Sequence, residues 1–295
     1  MSSQSNLRGI ACMVLSTGVF VTVDTSMKIV MADAGPLQVL FMRGVSASLW
    51  CLLTLLLLGH AIHLGQSLDR WVLLRAFFET LGVLAFMLAL ARMPIADITA
   101  IFQTTPLLLL MGVALVWRER IGGWRLALIF AGLAGALLVA QPGSSAASPY
   151  AVLGFLTALA CAVRDMVARN IPRQIPALVA TFTTLVMVMV VAGVLALLFE
   201  TWVPPTGLHL TLVTAVGPLL MLAHMLVFLA YRFASAATVA PFYYTFMLWA
   251  VISGVLVFGD VPNGLAIAGM SFILLSGLTI VLMDGRQRRD AAATT

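Results

Sequence analysis

The chain has 295 residues, of which 62% are apolar and only 9% are charged, and its mean hydropathy is +1.10. Soluble globular domains normally have about a quarter of their residues charged. The composition therefore excludes a water-soluble domain and points to a chain that is solvated mostly by lipid.

Ten apolar stretches follow one another along the chain. Each is long enough to cross a hydrocarbon core about 30 Å thick as a helix. We number them spans 1 to 10: residues 8–31, 36–58, 71–91, 95–117, 123–140, 150–169, 176–199, 208–230, 235–258 and 263–283. The links have at most about a dozen residues, which leaves no room for a soluble domain. We therefore predict an all-α membrane protein, a single integral domain over residues 1–295 with the lipid bilayer as its partner.

Basic residues are concentrated on one side of this predicted bundle. If the N-terminus is cytoplasmic, 12 of the 16 Lys and Arg residues fall in inner segments, and only Lys28 and Arg92 fall in outer ones. An excess of positive charge in inner loops predicts that both termini are cytoplasmic. We interpret the net charge of +5 as a consequence of this topology, and we expect no nucleic-acid partner.

The second half of the chain repeats residues of the first half at a spacing of about 141. The matched pairs are Asp24 and Asp165, Lys28 and Arg169, Glu119 and Asp260, Gly123 and Gly264, and Ala127 and Ala268. The repeats cover residues 8–140 and 150–283, with five spans each, and the polar linker 141–149 joins them. Because an odd number of spans reverses direction, this is the inverted-repeat plan of secondary transporters. It favours solute movement by alternating access.

Two segments resemble a known repeat. Residues 94–123 and 235–264 each combine a polar helix start of small residues, a proline, an apolar run and a final acid. They resemble the EamA repeat of the drug/metabolite transporter superfamily, and the resemblance extends over about residues 8–283, although Asp260 stands where the family usually has Glu. It implies ten helices, with spans 1–4 and 6–9 around a central cavity. The arrangement looks most like the exporters of amino acids, including aromatic ones, and proposed S-adenosylmethionine carriers are also similar.

Proline lies inside three predicted spans. Pro106, Pro218 and Pro241 fall in spans 4, 8 and 9. A proline within a helix frees a backbone carbonyl and bends the helix. In a membrane this is tolerated where neighbouring groups or a cavity satisfy the freed group. The three prolines are candidate hinges, with ordinary kinks as the alternative.

Small residues recur at every fourth position in spans 5 and 10. They are Gly123, Ala127, Ala131 and Gly135 in span 5, and Gly264, Ala268 and Ser276 in span 10. Such a stripe allows another helix to pack closely. We expect these peripheral spans to serve as scaffold, in a monomer or in a weak homodimer through helices 5 and 10.

Two acid–base pairs are candidate gates. A charge at bilayer depth costs at least about 2.5 kcal/mol, so each one needs a partner or a wet cavity. Asp24 and Lys28 lie four apart on span 1 and suit an ion pair, and Asp165 and Arg169 repeat the pattern on span 6. The alternative is a static pair at each helix end. Arg164, next to Asp165, is expected to point about 100° away and is not an expected partner.

Three further polar residues within spans are candidates for solute or proton binding. Arg43 in span 2 can bind a solute carboxylate through its planar fork of donors, or satisfy Asp24 or a helix end. Glu79 in span 3 and His224 in span 8 are candidates for taking up a proton. The alternative for both is a hydrogen-bonded packing role.

Aromatic residues are densest at mid-depth of span 9. Tyr243 and Tyr244 align with Gln103 and Thr104 of span 4, and Trp249 follows. Tyr and Trp normally favour membrane interfaces, so at this depth they need hydrogen-bond partners or a cavity. We predict an amphipathic pocket that holds a side chain by stacking, while Arg43 and Glu79 bind its charged ends. Core packing is the alternative.

These patterns favour a secondary carrier that exports amino acids, with aromatic ones preferred. The alternative is uptake of S-adenosylmethionine or another cationic metabolite, which needs uncompensated carboxylates or an aromatic cage. A channel is a third possibility. An intramembrane enzyme has no support, because Cys12, Cys51, Cys161 and the four His residues are scattered and no HExxH motif is present. We expect no metal, no cofactor and no catalytic residue.

Overall fold

The computed structural model describes residues 3–117, 122–141, 148–172, 174–234 and 236–293. In these residues every regular element is helical. The α-helices are α1 (Ser3–Val30), α2 (Pro36–Leu57), α3 (Arg70–Leu90), α4 (Ile95–Phe102), α5 (Thr105–Trp117), α6 (Gly123–Ala140), α7 (Ala151–Ala168), α8 (Ala177–Phe199), α9 (Gly207–Phe233), α10 (Ala236–Val239), α11 (Thr245–Ser253) and α12 (Gly264–Ala293). Short 3₁₀ helices cover His60–Leu68 and Ala240–Tyr244, and a π-helical turn covers Gly254–Phe258.

The predicted number of membrane spans is confirmed. Ten helical stretches in the described part of the chain are long and apolar enough to cross a membrane, with lengths of 18 to 27 residues. Most spans are one helix, whereas span 4 comprises α4 and α5, and span 9 is divided between several short helices. Glu119 of the predicted repeat and most of the linker 141–149 lie outside the described residues.

Proline and glycine set several helix boundaries. Pro36 occupies the first turn of α2, and Pro94 and Pro176 directly precede α4 and α8. At these positions the missing N–H costs nothing, because the first N–H groups of a helix have no partner within it. Gly59 and Gly259 follow spans 2 and 9 with φ of 71° and 72°, which glycine adopts without strain.

Three pairs of helices begin 141 residues apart. Pro36 and Ala177 begin α2 and α8, Ile95 and Ala236 begin α4 and α10, and Gly123 and Gly264 begin α6 and α12. This spacing agrees with the one that the repeated residues indicated. The inverted repeat and the cytoplasmic termini remain predictions.

The helices pack into two compact units. Unit 1 contains Met1–Thr22, Pro94–Pro149 and Leu222–Thr295, and unit 2 contains Val23–Met93 and Tyr150–Met221. Each unit therefore takes helices from both sequence halves, and the halves are not the packing units. Helices α1 and α9 contribute residues to both.

In unit 1, helices α6 and α12 pack closely on each other through small residues. A Cβ on Gly135 would lie 2.6 Å from the carbonyl oxygen of Gly269, so only glycine allows this approach. Gly132 lies against Leu107 and Ser276 in the same way. The small residues of spans 5 and 10 thus serve packing within the chain, although Gly132 and Gly269 lie outside the predicted stripe. The homodimer remains a prediction.

In unit 2, helix α2 packs on α8 and helix α3 packs on α7. Because Gly44 has no side chain, Met189 can pack directly against its backbone, and the ring of Phe41 packs against Gly193 in the same way. The hydroxyl of Thr157 donates to the carbonyl oxygen of Gly82 at 3.2 Å. These close approaches bring the charged residues of α3 and α7 within reach of each other.

Candidate functional site

Spans 4 and 9 both depart from regular α-helix within the membrane, and both irregular segments lie in unit 1. Helix α4 ends at Phe102 and α5 begins at Thr105, with Pro106 as its second residue. In span 9 the 3₁₀ helix Ala240–Tyr244 contains Pro241 and precedes α11. Pro106 and Pro241 therefore lie where the α-helical geometry of their spans is locally distorted, at places that we call the helix breaks, whereas Pro218 lies inside the continuous helix α9. Their role as hinges remains a prediction.

Threonine hydroxyls bond to the backbone in the same manner beside Pro106 and Pro241. The hydroxyls of Thr105 and Thr245 donate to the carbonyl oxygens of Phe102 and Phe242, each at 2.6 Å. The amide of Gln103 donates to the carbonyl oxygen of Tyr243 at 3.4 Å. Gln103 is only 1% exposed, so this contact links the two breaks in the interior of unit 1.

Aromatic rings surround these breaks. The ring of Phe246 is 5% exposed, and its centroid lies 6.3 Å from the centroids of Phe20, Phe102 and Tyr243. These three neighbours are only half-buried. Phe20 also meets the ring of His224, edge to face, at 5.2 Å. Unit 1 therefore presents partly exposed ring faces beside two broken helices.

Tyr244 and Trp249 both pack against neighbouring helices. Tyr244 is 4% exposed, and its ring and hydroxyl lie against Gly277 of α12. The indole N–H of Trp249 donates to the carbonyl oxygen of Val14 at 3.1 Å, and its ring lies on Gly18. The N–H of Trp249 is thus occupied and the ring of Tyr244 is covered in this structure, and the binding of a solute by either residue remains a prediction.

Phe20 and Phe246 were not identified from the sequence. Both are apolar residues in apolar helices, which by themselves predict only core or lipid contact. Phe246 lies three residues after Tyr243, and residues three apart share a helix face. That spacing is the signal that could have identified Phe246, whereas the position of Phe20 follows only from tertiary packing.

In unit 2, Asp24 and Arg43 form a loose ion pair. The Oδ1 atom of Asp24 lies 4.0 Å from Nη1 of Arg43, and the two side chains are 11% and 17% exposed. Nη1 of Arg43 also contacts the sulfur of Met87 at 3.6 Å. Lys28 donates to the carbonyl oxygen of Met93. The ion partner that the structure assigns to Asp24 is thus Arg43 on α2, not Lys28 on its own helix.

A second set of charges in unit 2 forms a tight network, which we call the four-charge network: Arg75, Glu79, Arg164 and Asp165. Arg164 contacts Oε1 of Glu79 through Nη1 and Oδ1 of Asp165 through Nε, both at 2.8 Å. Arg75 lies 3.5 Å from Oε2 of Glu79 and donates to the hydroxyl of Thr184 at 3.1 Å. The network joins helices α3, α7 and α8.

This network corrects two expectations. Arg164 and Asp165 are partners despite the 100° between them, because the long arginine side chain curves back to its neighbour. The structure pairs Asp165 with Arg164 in place of Arg169, which is exposed. The carboxylate of Glu79 faces two arginines, and its binding of a solute remains a prediction.

Two polar contacts at helix ends in unit 2 were also missed. The carboxylate of Glu200 accepts hydrogen bonds from the backbone N–H groups of Leu37 and Gln38, at 3.0 and 2.9 Å. It thereby caps α2, where the helix dipole favours an acid. Nε2 of His209 lies 3.1 Å from Oδ2 of Asp33. Both contacts join residues far apart in sequence, which no local pattern reveals.

The ten spans, the interrupted helices and the paired charges within the membrane together define a membrane transport protein. The family model described as the EamA-like transporter family matches residues 7–141. A riboflavin transporter of Rhizobium johnstonii is 32% identical over 75% of this chain and 72% of its own length. A pseudopaline exporter of Pseudomonas aeruginosa is 26% identical over 92% of this chain and 95% of its own. The chain belongs to the EamA-like transporter family of the drug/metabolite transporter superfamily.

Further relatives agree with this assignment. A riboflavin transporter of Vibrio cholerae is 27% identical over 74% of this chain and 74% of its own. A solved crystal structure aligns with 97% of this chain and 99% of its own with a TM-score of 0.63 at 21% identity, which supports the fold alone. The predicted family, the multi-pass position in the inner membrane and the assignment as a transporter rather than an enzyme are confirmed.

Proposed function

We propose that this transporter is a secondary carrier that moves small amphipathic solutes with an aromatic ring by alternating access. Export of aromatic amino acids is the leading case. The observation that carries the proposal is the pair of helix breaks in spans 4 and 9, joined through Gln103 and Tyr243 and flanked by the rings of Phe20, Phe102 and Phe246.

Irregular helix geometry has a specific meaning in a membrane protein. Irregular backbone at membrane depth is tolerated only where it is buried in protein or lines a cavity. In secondary transporters, interrupted helices at corresponding positions of two repeats are the usual location of the substrate site. Half-buried aromatic rings at that location favour a flat aromatic group, which binds by offset or edge-to-face stacking.

A cationic solute such as S-adenosylmethionine is less compatible with the charges of unit 2. Asp24, Glu79 and Asp165 each have an arginine within 4.0 Å. A fixed positive charge needs a carboxylate that is not already compensated or an aromatic cage. We therefore rank this alternative below an aromatic solute.

Riboflavin is a second candidate. Three relatives are named riboflavin transporters, and the flat ring system of riboflavin is chemically suited to stacking between phenylalanine and tyrosine side chains. The pseudopaline exporter supports the export direction for this chain. Both candidate solutes present an aromatic ring, so one experiment can compare them.

The test is counterflow in proteoliposomes. Purified protein is reconstituted into vesicles preloaded with unlabelled tryptophan, phenylalanine, threonine, riboflavin or S-adenosylmethionine, and accumulation of the same labelled solute is measured. We expect accumulation with at least one aromatic solute and none with threonine. Counterflow with threonine alone, or no counterflow with any solute in vesicles that contain folded protein, would contradict the proposal.

A matched pair of variants connects the result to the site. Phe246→Leu removes the ring at the centre of the cluster, whereas Phe228→Leu removes a ring that is 63% exposed on α9 of the same unit. We expect the first variant to lose about tenfold in apparent affinity, because one aromatic pair contributes about 0.5–1.5 kcal/mol and the buried ring area adds to it. The second variant should transport like the unmodified protein.

A further inference from the structure

The guanidinium of Arg43 lies inside a membrane span with few of its donors satisfied. Its side chain is 17% exposed. Among the residues that the structure describes, it donates only to the thioether of Met87, at 3.6 Å. The nearest carboxylate oxygen, on Asp24, is 4.0 Å away, beyond hydrogen-bond distance. A guanidinium has five N–H donors, so most of them lack an acceptor in this part of the chain.

Arg164, in the same unit, has close carboxylate partners that Arg43 does not have. Its side chain is 19% exposed, close to the value for Arg43, yet it contacts two carboxylate oxygens at 2.8 Å each. Burial alone therefore does not explain the loose surroundings of Arg43. Charged groups inside a membrane are costly, and they often mark solute pathways.

We infer that Arg43 binds the carboxylate group of the transported solute. This inference rests on the proposed function, because it assigns a carboxylate to the aromatic solute. The planar fork of a guanidinium matches the two oxygens of a carboxylate, and the thioether of Met87 is a weak acceptor that the carboxylate displaces. The solute class is thus an aromatic carboxylate, of which the aromatic amino acids are members.

Asp24 acts as the resident counter-charge of Arg43. At 4.0 Å it compensates the positive charge without occupying the donors, so the solute carboxylate competes with a weak partner. Asp24→Asn removes this competitor, and the carboxylate then binds more tightly. Arg43→Gln removes the donor fork together with the charge, and Arg43→Lys keeps the charge while losing the fork.

The test measures binding to the purified full chain by thermal unfolding. Tryptophan is compared with tryptophanamide, which keeps the ring and the amine but has no carboxylate. We expect tryptophan to raise the melting temperature of the unmodified protein and the amide to leave it unchanged. Arg43→Gln should weaken tryptophan binding about 10- to 100-fold, with Arg43→Lys in between. Equal stabilisation by both compounds, or none by tryptophan, would overturn the inference.

A structural role for Arg43 makes a different prediction. If Arg43 only stabilised the fold, Arg43→Gln would lower the melting temperature without solute and leave tryptophan binding unchanged. We expect Arg43→Gln to weaken tryptophan binding and to lower the melting temperature less than Arg164→Gln does, because Asp24 loses a cation at 4.0 Å whereas Glu79 and Asp165 lose contacts at 2.8 Å. Asp24→Asn should increase tryptophan affinity several-fold, and unchanged or weaker binding by this variant would also contradict the assignment.

Riboflavin allows the role of Arg43 and the proposed transport of aromatic solutes to be tested separately. It has an aromatic ring system and no carboxylate. Counterflow of riboflavin at equal rates by the unmodified protein and by Arg43→Gln, without tryptophan binding, would retain the proposed function and overturn the role of Arg43. If no solute shows counterflow, the proposed function fails, and the comparison of tryptophan with its amide still decides the inference.

Discussion

The side-chain amide of Gln103 and the backbone carbonyl of Tyr243 join the two interrupted spans of unit 1 at a distance of 3.4 Å. This is long for an N–H···O hydrogen bond, whose usual distance is about 2.9–3.0 Å. A weak link between two helix breaks can open when the helices rearrange, as alternating access requires.

Replacing Gln103 tests this link. Gln103→Leu leaves the Tyr243 carbonyl without its side-chain donor, and we expect turnover to fall several-fold. The loss of stability should be small, about 0.5–1.5 kcal/mol, because a single neutral hydrogen bond is removed. Rates come from proteoliposome exchange, and stability comes from thermal unfolding.

Asn263→Ala serves as the control for Gln103→Leu. It removes the contact with Gln141, at 2.7 Å, and the bond to the N–H of Ala266 in the same unit, far along the chain from the breaks. We expect it to lose stability and to keep transport. If Gln103→Leu and Asn263→Ala lose transport equally, the contact between Gln103 and Tyr243 has no specific role in transport.

The four-charge network should stabilise unit 2. Arg164→Gln leaves Glu79 and Asp165 without their closest cation, and we expect a loss of about 2–4 kcal/mol, since an uncompensated charge in a partly buried site is strongly destabilising. In the double variant with Glu79→Gln, the penalty of the second change should be smaller than in Glu79→Gln alone. A double-mutant cycle by thermal unfolding measures the coupling. Simple additivity would show that the two residues do not interact.

The gate hypothesis concerns Asp24 and Asp165. We expect Asp24→Asn to lower the maximal exchange rate and also the apparent KM, because the solute then binds Arg43 more tightly and leaves more slowly. Asp165→Asn should lower the rate with little change in KM. Initial rates of exchange over a range of solute concentrations separate the two effects. If both variants exchange solute at the unmodified rate, neither aspartate belongs to a gate.

The contact between α6 and α12 should tolerate no added side-chain atom. Gly135→Ala places a Cβ 2.6 Å from the carbonyl oxygen of Gly269, and we expect a loss of about 1–3 kcal/mol from overpacking. Gly123→Ala lies on the same helix with nothing within 4 Å of the added Cβ, so it should be neutral. Thermal unfolding of the two variants checks this difference. Similar stability for both would contradict the close approach.

The spans and their interruptions could be predicted from sequence because local rules govern them. The bilayer imposes a length and an apolar composition on each helix, and Pro106 and Pro241 break helices through their own ring geometry. Pro218 lies within the continuous helix α9, as its place inside predicted span 8 indicated, and a long helix can keep a proline within it.

The partners of the charged residues could not be predicted in the same way. Spacing along one helix favoured Lys28 for Asp24 and Arg169 for Asp165, yet the structure pairs these aspartates with Arg43 and Arg164. Long arginine side chains reach across helices and around their own backbone, and tertiary packing decides which carboxylate they meet. The position of Phe20 beside Phe246 is likewise decided by tertiary packing and not by local sequence.

Counterflow of labelled tryptophan in proteoliposomes, with riboflavin and threonine measured beside it, decides whether this protein is a carrier for aromatic solutes. We expect preloading with an aromatic solute to drive accumulation of its labelled form and preloading with threonine to have no such effect. Phe246→Leu should weaken the accumulation, and Phe228→Leu should not. Flux that needs no preloading, or accumulation that does not distinguish aromatic solutes from threonine, would contradict a carrier that binds aromatic solutes at its broken helices.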